Sequence, residues 1–146
     1  MTEIGMNGRF RRILVGYDGS APSERALEVG LSIANTLNSK VEVLSVIQAP
    51  EPSTSAELHA VLDNARQHYE TALRRISNVA NDNGIEVKTD VVVGHPAEQL
   101  IQRAEQTHAD LVVVGRRGIS KFKNLVMGSV SERVLTYAPC PVLVTR

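Results

Sequence analysis

Several residue types are scarce in this chain of 146 residues, and each shortage excludes a class of protein. There is no Trp and aromatic residues make up 3% of the sequence, so a base-stacking surface for nucleic acid is not expected. The single cysteine, Cys140, excludes an intrachain disulfide framework and a cysteine-rich zinc site. Basic and acidic side chains balance at 16 each, which argues against a global electrostatic attraction to nucleic acid or membrane.

Long hydrophobic runs are also missing. No stretch approaches the roughly 20 apolar residues that cross a bilayer. The N-terminal sequence MTEIGMNGRFRR carries its arginines late, and the short apolar run that follows them is unlike a secretory signal. We therefore expect a cytoplasmic protein that binds neither membranes nor nucleic acid.

The sequence does contain a regular alternation of strand and helix patterns. Five short apolar runs predict strands, at residues 12–17, 41–47, 85–94, 109–115 and 141–145. Helical periodicity fills the segments between them, and Thr54–Glu57 matches a capping box at a helix start. The alternation predicts a single-domain α/β fold, a parallel sheet with helices on both faces. We expect a flexible N-terminal segment over residues 1–9 and one domain over residues 10–146.

Two of the predicted strands end in glycine and lead into unusual loops. The first reads Gly16-Tyr17-Asp18-Gly19-Ser20, and the second spans residues 115–131. In parallel sheets, ligands bind outside the carboxyl ends of the strands, where the strand order reverses. If these two strands are neighbours, both loops face one crevice.

The second loop has the composition of a phosphate-binding site. Gly115, Gly118 and Gly128 lack a Cβ, so their backbone N–H groups can approach an anion and adopt positive φ. Ser129 lies near the start of the next predicted helix, where the free N–H groups and the dipole favour anions. Four cations add local positive charge, namely Arg116, Arg117, Lys121 and Lys123. The same residues also fit a glycine-rich turn with a solvated basic rim. Neither a Walker loop nor a GxGxxG fingerprint is present.

The spacing Gly115-x2-Gly118-x9-Gly128-Ser129 resembles the G-x2-G-x9-G-[ST] nucleotide loop of the universal stress protein family, in its ATP-binding branch. The segments ILVGYDGS, VVVGHPAEQLI and CPVLVTR are similar to that family in the same order. The resemblance covers about residues 10–146. It implies a five-stranded, doubly wound parallel sheet of order 3-2-1-4-5, Rossmann-like and of the adenine nucleotide alpha hydrolase type.

The resemblance also implies which residues bind the nucleotide. It places Gly16 and Asp18 near the ribose and phosphates, with Asp18 beside a Mg²⁺ or Mn²⁺ ion, and the adenine near the backbone of Val46. The two halves of the phosphate and ribose loop are then Gly115, Arg117 and Gly118, followed by Gly128, Ser129, Val130 and Ser131. Family members vary at the position of Arg117, so its backbone alone could carry its role.

Members of the family commonly form homodimers through the last strand, here Val142, Leu143, Val144 and Thr145. An apolar strand at the end of the chain leaves an edge that seeks a partner, which independently favours this assembly. The alternative is a monomer whose edge is blunted by Pro141 and Arg146.

Other polar residues fit structural roles. Asp18 could also be a catalytic base or a turn residue, and His95 reads as a turn residue. The remaining histidines, His59, His68 and His108, have no helical zinc spacing. Cys140 has no neighbouring base and Tyr69 reads as core. No Ser-His-Asp order or nucleophile elbow is present.

We expect an ATP-binding stress-response module with at most slow hydrolysis. The alternatives are a slow ATPase or autophosphorylating enzyme, a cAMP binder, and a nucleotide-free interaction protein.

Overall fold

A computed structural model describes residues 9–48, 54–116 and 129–146 of the chain. Strands and helices alternate in the order β1 Arg12–Gly16, α1 Ala21–Leu37, β2 Lys40–Ile47, α2 Ser55–Asp82, β3 Val87–Val93, α3 Pro96–Thr107, β4 Leu111–Gly115, α4 Ser129–Tyr137 and β5 Val142–Thr145. The predicted flexible segment up to residue 8 lies outside the described residues. So do the predicted site residues Arg117, Gly118 and Gly128.

The five strands form one parallel sheet of order β3-β2-β1-β4-β5, which confirms the predicted fold class and strand order. Strand β1 lies at the centre, and its Val15 is in register with Val113 of β4. Strands β3 and β5 are the edges, as the alternation in β3 and the position of β5 predict. Because β1 and β4 are neighbours, the two glycine-ended strands stand side by side.

Each face of the sheet carries its own layer of helices and its own core. Successive residues of a strand point to opposite faces, so Ile13 and Val15 of β1 pack with α1 and α2, while Leu14 packs with α3 and α4. These β1 side chains are at most 1% exposed. The sheet is therefore buried on both faces, which accounts for its continuous apolar runs.

Helix α2 begins with the predicted capping box: the Thr54 hydroxyl accepts from the Glu57 amide, and the Glu57 carboxylate accepts from the Thr54 amide. Its apolar stripe is less buried than the periodicity predicts, since Val61 is 44% and Val79 is 55% exposed. A helix of 28 residues is about 42 Å long, whereas β2 with 8 residues spans about 27 Å. The helix therefore extends beyond the sheet. Within the described ranges, no helix is both long and apolar enough to span a membrane.

Candidate functional site at the carboxyl ends of the strands

A cavity of about 470 Å³ opens at the carboxyl ends of β1, β2 and β4. It brings together every predicted site residue that the structure describes: Gly16, Asp18, Val46, Gly115, Ser129, Val130 and Ser131. These residues come from four separate parts of the chain. Their convergence matches the crevice that the sequence predicts between the two glycine-ended strands.

The cavity exists because the chain leaves β1 and β4 in opposite directions. Helix α1, which follows β1, packs on one face through Ala26 and Leu27, whereas α4 packs on the other face through Val134. Two neighbouring parallel strands whose helices diverge in this way leave a gap at their ends. The first turns of α1 and α4 form the two sides of that gap.

On the α1 side, Asp18 shapes the turn into the helix. Its Oδ1 accepts a hydrogen bond from the Ser20 amide at 2.9 Å, and its own amide donates to the Ser23 hydroxyl at 3.3 Å. Gly19 between them has φ +82°, a left-handed conformation that favours glycine. Asp18 therefore does have the structural role of a turn residue at the start of α1. Among the described residues, none donates a hydrogen bond to its Oδ2.

On the α4 side, Ser129 and Val130 line the cavity at the start of the helix. The first turn of a helix has backbone N–H groups without intrahelical partners, and these groups attract anions. Ser131 is 2% exposed, and its hydroxyl donates to the carbonyl of Arg116 at 3.0 Å. That hydrogen bond fixes the α4 turn against the end of β4.

Gly115 is required for a reason that differs from the predicted one. It does not adopt positive φ. A Cβ at this position would lie 2.6 Å from the carbonyl carbon of Pro22, 2.7 Å from its Cβ and 2.9 Å from its carbonyl oxygen. The absent side chain therefore allows the end of β4 to pack against the first turn of α1. A Cβ on Gly16 would meet only side-chain atoms, of Leu100 and Val114, at 3.1 to 3.3 Å.

The backbone of Val46 faces the cavity because β2 continues past the end of β1. The Leu44 carbonyl accepts the Tyr17 amide at 3.0 Å, while the Ile47 carbonyl points the other way and accepts the Gly94 amide of the β3 end. Alternate residues of a strand direct their backbone groups to the same side. Val46 therefore directs its amide and carbonyl toward β1, beyond the point where β1 stops. The apolar side chains of Leu44, Leu100 and Val114 line the space beside it.

Tyr69 packs against the core, as the sequence predicts, and it also lines the cavity, which the sequence does not predict. It is only partly buried, lines the cavity, and its hydroxyl lies 3.4 Å from the Asp18 carbonyl, to which it donates. Burial and the nearby Asp18 carboxylate raise the pKa of Tyr69. The sequence does contain a signal for Tyr69: an aromatic side chain with a polar hydroxyl lies at the margin of the apolar stripe of α2.

Tyr17 is a second aromatic residue at the cavity. Its hydroxyl donates to Glu24 at 2.7 Å, and burial together with this carboxylate raises the pKa of Tyr17 to about 12. Gln48 and Ser23 complete the set of polar residues that line the cavity and that the sequence did not suggest. They follow from the geometry of the strand ends, which no short motif records.

Neither the four histidines nor Cys140 are among the described residues that line the cavity. The four histidines are exposed, and His95 flanks the start of α3 without a side-chain capping hydrogen bond. Burial and Asp110 raise the pKa of the Cys140 thiol, which opposes a nucleophilic role. In the parts of the chain that the structure describes, no three His, Cys, Asp or Glu side chains converge to hold a metal ion.

A second cavity, of about 440 Å³, lies at the opposite end of the sheet. Its charged lining is mixed, with Lys40 and Lys88 beside Glu42 and Glu86. Glu42 is engaged by Arg103, and Glu86 lies 3.8 Å from Lys40. Arg12 also lines this cavity, which shares no residue with the site at the carboxyl ends. It lies where parallel sheets do not usually bind ligands.

Comparison with known proteins gives a consistent family. The model of the universal stress protein family matches residues 9–146. Universal stress protein YxiE of Bacillus subtilis is 31% identical over 147 residues, which cover 94% of this chain and 99% of that protein. The solved structure of universal stress protein UspA from Lactobacillus plantarum has a TM-score of 0.89 at 28% identity and covers 96% of this chain and 100% of that one. A universal stress protein solved in complex with cAMP has a TM-score of 0.73 at 27% identity, covering 95% of this chain and 99% of that one.

Proposed function

Because the chain belongs to the universal stress protein family, we propose that it binds ATP in the cavity at the carboxyl ends of β1 and β4. In this role it is a nucleotide-dependent stress-response module with at most slow hydrolysis. One observation carries the proposal. The residues that the sequence predicts for the nucleotide, as far as the structure describes them, all line the same cavity at the switch point of the sheet.

The cavity offers separate surroundings for the two ends of a nucleotide. The outward-facing amide and carbonyl of Val46 supply a donor and an acceptor beside apolar side chains, a combination that suits the edge and the face of a purine. The first turn of α4 supplies backbone N–H groups and the positive end of a helix dipole, which suit phosphates. The cavity volume of about 470 Å³ is within the range of small-molecule sites.

Asp18 fits a Mg²⁺ or Mn²⁺ ion bound together with the phosphates. Such ions prefer one or two carboxylates plus phosphate oxygens and water to a cage of protein ligands. The single carboxylate of Asp18, with Oδ1 held by the Ser20 amide, presents Oδ2 in a fixed direction. When bound, the ion would neutralise phosphate charge, and Asp18 would orient it.

Titration calorimetry with ATP in the presence of Mg²⁺ tests this assignment. We expect one ATP per chain and, for Asp18→Asn, an affinity about tenfold weaker with Mg²⁺ present, because a charged partner is replaced by a neutral one. The matched control is Asp63→Asn, since Asp63 is exposed on α2. Equal ATP affinities for wild type, Asp18→Asn and Asp63→Asn would remove Asp18 from the site. Steady release of ADP abolished by Asp18→Asn would instead identify a hydrolase.

A cyclic nucleotide is the second candidate ligand, because a solved relative at 27% identity was crystallised with cAMP. ATP and cAMP share the adenine and ribose but differ in charge and in the need for a cation. Competition between them in the same calorimeter decides the question. Tighter binding of cAMP, unaffected by removal of Mg²⁺, would replace ATP as the ligand.

We also propose that two copies pair through the edge strand β5. The carbonyls of Pro141 and Thr145 accept hydrogen bonds from β4, so the backbone groups of Val142 and Val144 point away from the sheet. None of the described residues pairs with that outer edge, and Leu143 on it is 37% exposed. Antiparallel pairing across a two-fold axis would satisfy these groups.

A proline substitution distinguishes backbone pairing from side-chain contact. Val144→Pro removes the outward N–H and keeps the number of side-chain carbons, whereas Val144→Ala retains the N–H and shortens the side chain. Sedimentation equilibrium should find a dimer for wild type and Val144→Ala, and a monomer for Val144→Pro, with circular dichroism confirming the fold. A monomeric wild type at tens of micromolar would contradict the proposed dimer.

A further inference from the structure

Thr145, the last residue of β5, makes hydrogen bonds both to the first turn of α1 and to the end of β4. Its hydroxyl donates to the Pro22 carbonyl in the first turn of α1 at 3.0 Å, with the Val114 carbonyl at a longer 3.5 Å. Its own carbonyl accepts from the Arg116 amide at the end of β4. No part of the predicted nucleotide site included Thr145.

The hydrogen bonds continue from Arg116 to the other side of the cavity. The Arg116 carbonyl accepts from the hydroxyl of Ser131, which is buried in the first turn of α4. A chain of three bonds therefore runs from α1 through Thr145 and Arg116 to α4. It joins the two helix starts whose separation defines the cavity.

The contact between Pro22 and Gly115 makes this connection stiff. Gly115 and Pro22 are so close that even a Cβ on Gly115 would not fit between them. The first turn of α1 therefore packs directly against the end of β4. The Thr145 hydroxyl donates a hydrogen bond to the Pro22 carbonyl in this same turn. A carbonyl in a first helical turn otherwise has only its intrahelical partner to orient it.

We propose that Thr145 is a positioning residue for the nucleotide site, holding the starts of α1 and α4 at the separation that the ligand requires. The proposal rests on the proposed nucleotide binding and adds a residue that does not touch the ligand. Preorganisation of this kind raises affinity by removing the cost of ordering the site on binding. Because Thr145 belongs to the edge strand, the geometry of the site depends on how β5 docks on β4.

Thr145→Val removes the hydroxyl and keeps the shape, while Thr145→Ser keeps the hydroxyl. The matched control is Thr107→Val: the hydroxyl of Thr107 is also part-buried and donates to a carbonyl, that of Arg103, at 2.8 Å, but at the far end of the sheet. Loss of one such bond predicts ATP binding about three- to tenfold weaker in Thr145→Val. Thr145→Ser and Thr107→Val should bind within about twofold of wild type. Equal affinity of Thr145→Val and wild type would overturn the proposal.

Hydrogen exchange of the ligand-free protein separates this proposal from nucleotide binding itself. The amides of Ser23 and Glu24, both bonded to Ser20 in the first turn of α1, should exchange faster in Thr145→Val and not in Thr145→Ser or Thr107→Val. If wild type bound no nucleotide but this pattern held, the proposed function would fail and the positioning role would stand. Unchanged exchange in Thr145→Val would remove the positioning role, whether or not the protein binds a nucleotide.

Discussion

Substitution of Gly115 by alanine gives the sharpest test of how the cavity is built. The added Cβ would lie 2.6 to 2.9 Å from backbone and ring atoms of Pro22, closer than van der Waals contact permits. The nearest of these atoms belong to the backbone of α1, so relief requires the helix start or the strand end to move. Overpacking of this kind costs about 1–3 kcal/mol, and we expect the upper half of that range.

Gly16→Ala is the matched comparison, since it adds the same atom to the end of the neighbouring strand. Its Cβ would meet side-chain atoms of Leu100 and Val114 at 3.1 to 3.3 Å, which can shift by a few tenths of an ångström. The effect of losing a glycine on the unfolded chain is common to both variants and cancels between them. We therefore expect Gly16→Ala to lose less than about 1 kcal/mol.

Urea unfolding of the ligand-free variants, followed by circular dichroism, measures the difference. With a slope of about 2 kcal/mol per molar for a domain of this size, Gly115→Ala should lower the midpoint by about 1 M. Gly16→Ala should lower it by less than about 0.5 M. A Gly115→Ala protein as stable as wild type would refute the claim that the strand end is seated on Pro22.

Three further perturbations test other parts of the molecule. Arg103→Met removes the guanidinium that bridges Glu42 on β2 and Asp90 on β3. It should lower the free energy of unfolding in urea by about 1–3 kcal/mol, less than for a fully buried pair, because the Asp90 side chain is 42% exposed. An unchanged free energy of unfolding would show that the bridge does not stabilise the protein. Thr54→Ala removes the α2 cap and should cost about 1 kcal/mol, measured as a lower thermal midpoint; an unchanged midpoint would show that α2 does not need its cap. The pKa of Tyr17 is raised from 10.0 to about 12 in the folded protein. The contribution of Tyr17 to the free energy of unfolding is therefore fully present below pH 10 and is lost as the pH rises through 12. The difference in unfolding free energy between wild type and Tyr17→Phe should shrink over that window, and a constant difference would contradict the assigned pKa.

Much of the fold could be predicted because its signals are local. Short apolar runs and helical periodicity located the nine elements of the described residues, and the Thr54–Glu57 capping box was correct to the residue. The burial of the apolar stripe of α2 was misjudged at Val61, since periodicity records which face of a helix is apolar but not how far the sheet beneath it extends. That length depends on the tertiary structure. At Val79 the cause is different: Ile76 and Ala80 on the same turn are buried, so Val79 lies at the exposed margin of the stripe.

The candidate site could be predicted in outline for the same reason. Glycine at the ends of two strands and a serine at a helix start are local features, and the neighbouring positions of β1 and β4 bring them together. The reason for Gly115 was missed because its close neighbour, Pro22, is distant in sequence. The sequence did not reveal Tyr69 as a cavity residue or Thr145 as a positioning residue, because their hydrogen bonds to Asp18 and Pro22 connect different elements.

Native mass spectrometry of protein purified without added nucleotide tests the central claim most directly. We predict a dimer that carries a mass equal to ATP on each chain, or that takes up one ATP per chain when ATP and Mg²⁺ are supplied. A protein that remains empty with millimolar ATP and with millimolar cAMP would contradict the account. The cavity would then be a consequence of the fold, and the proposed nucleotide function would be wrong.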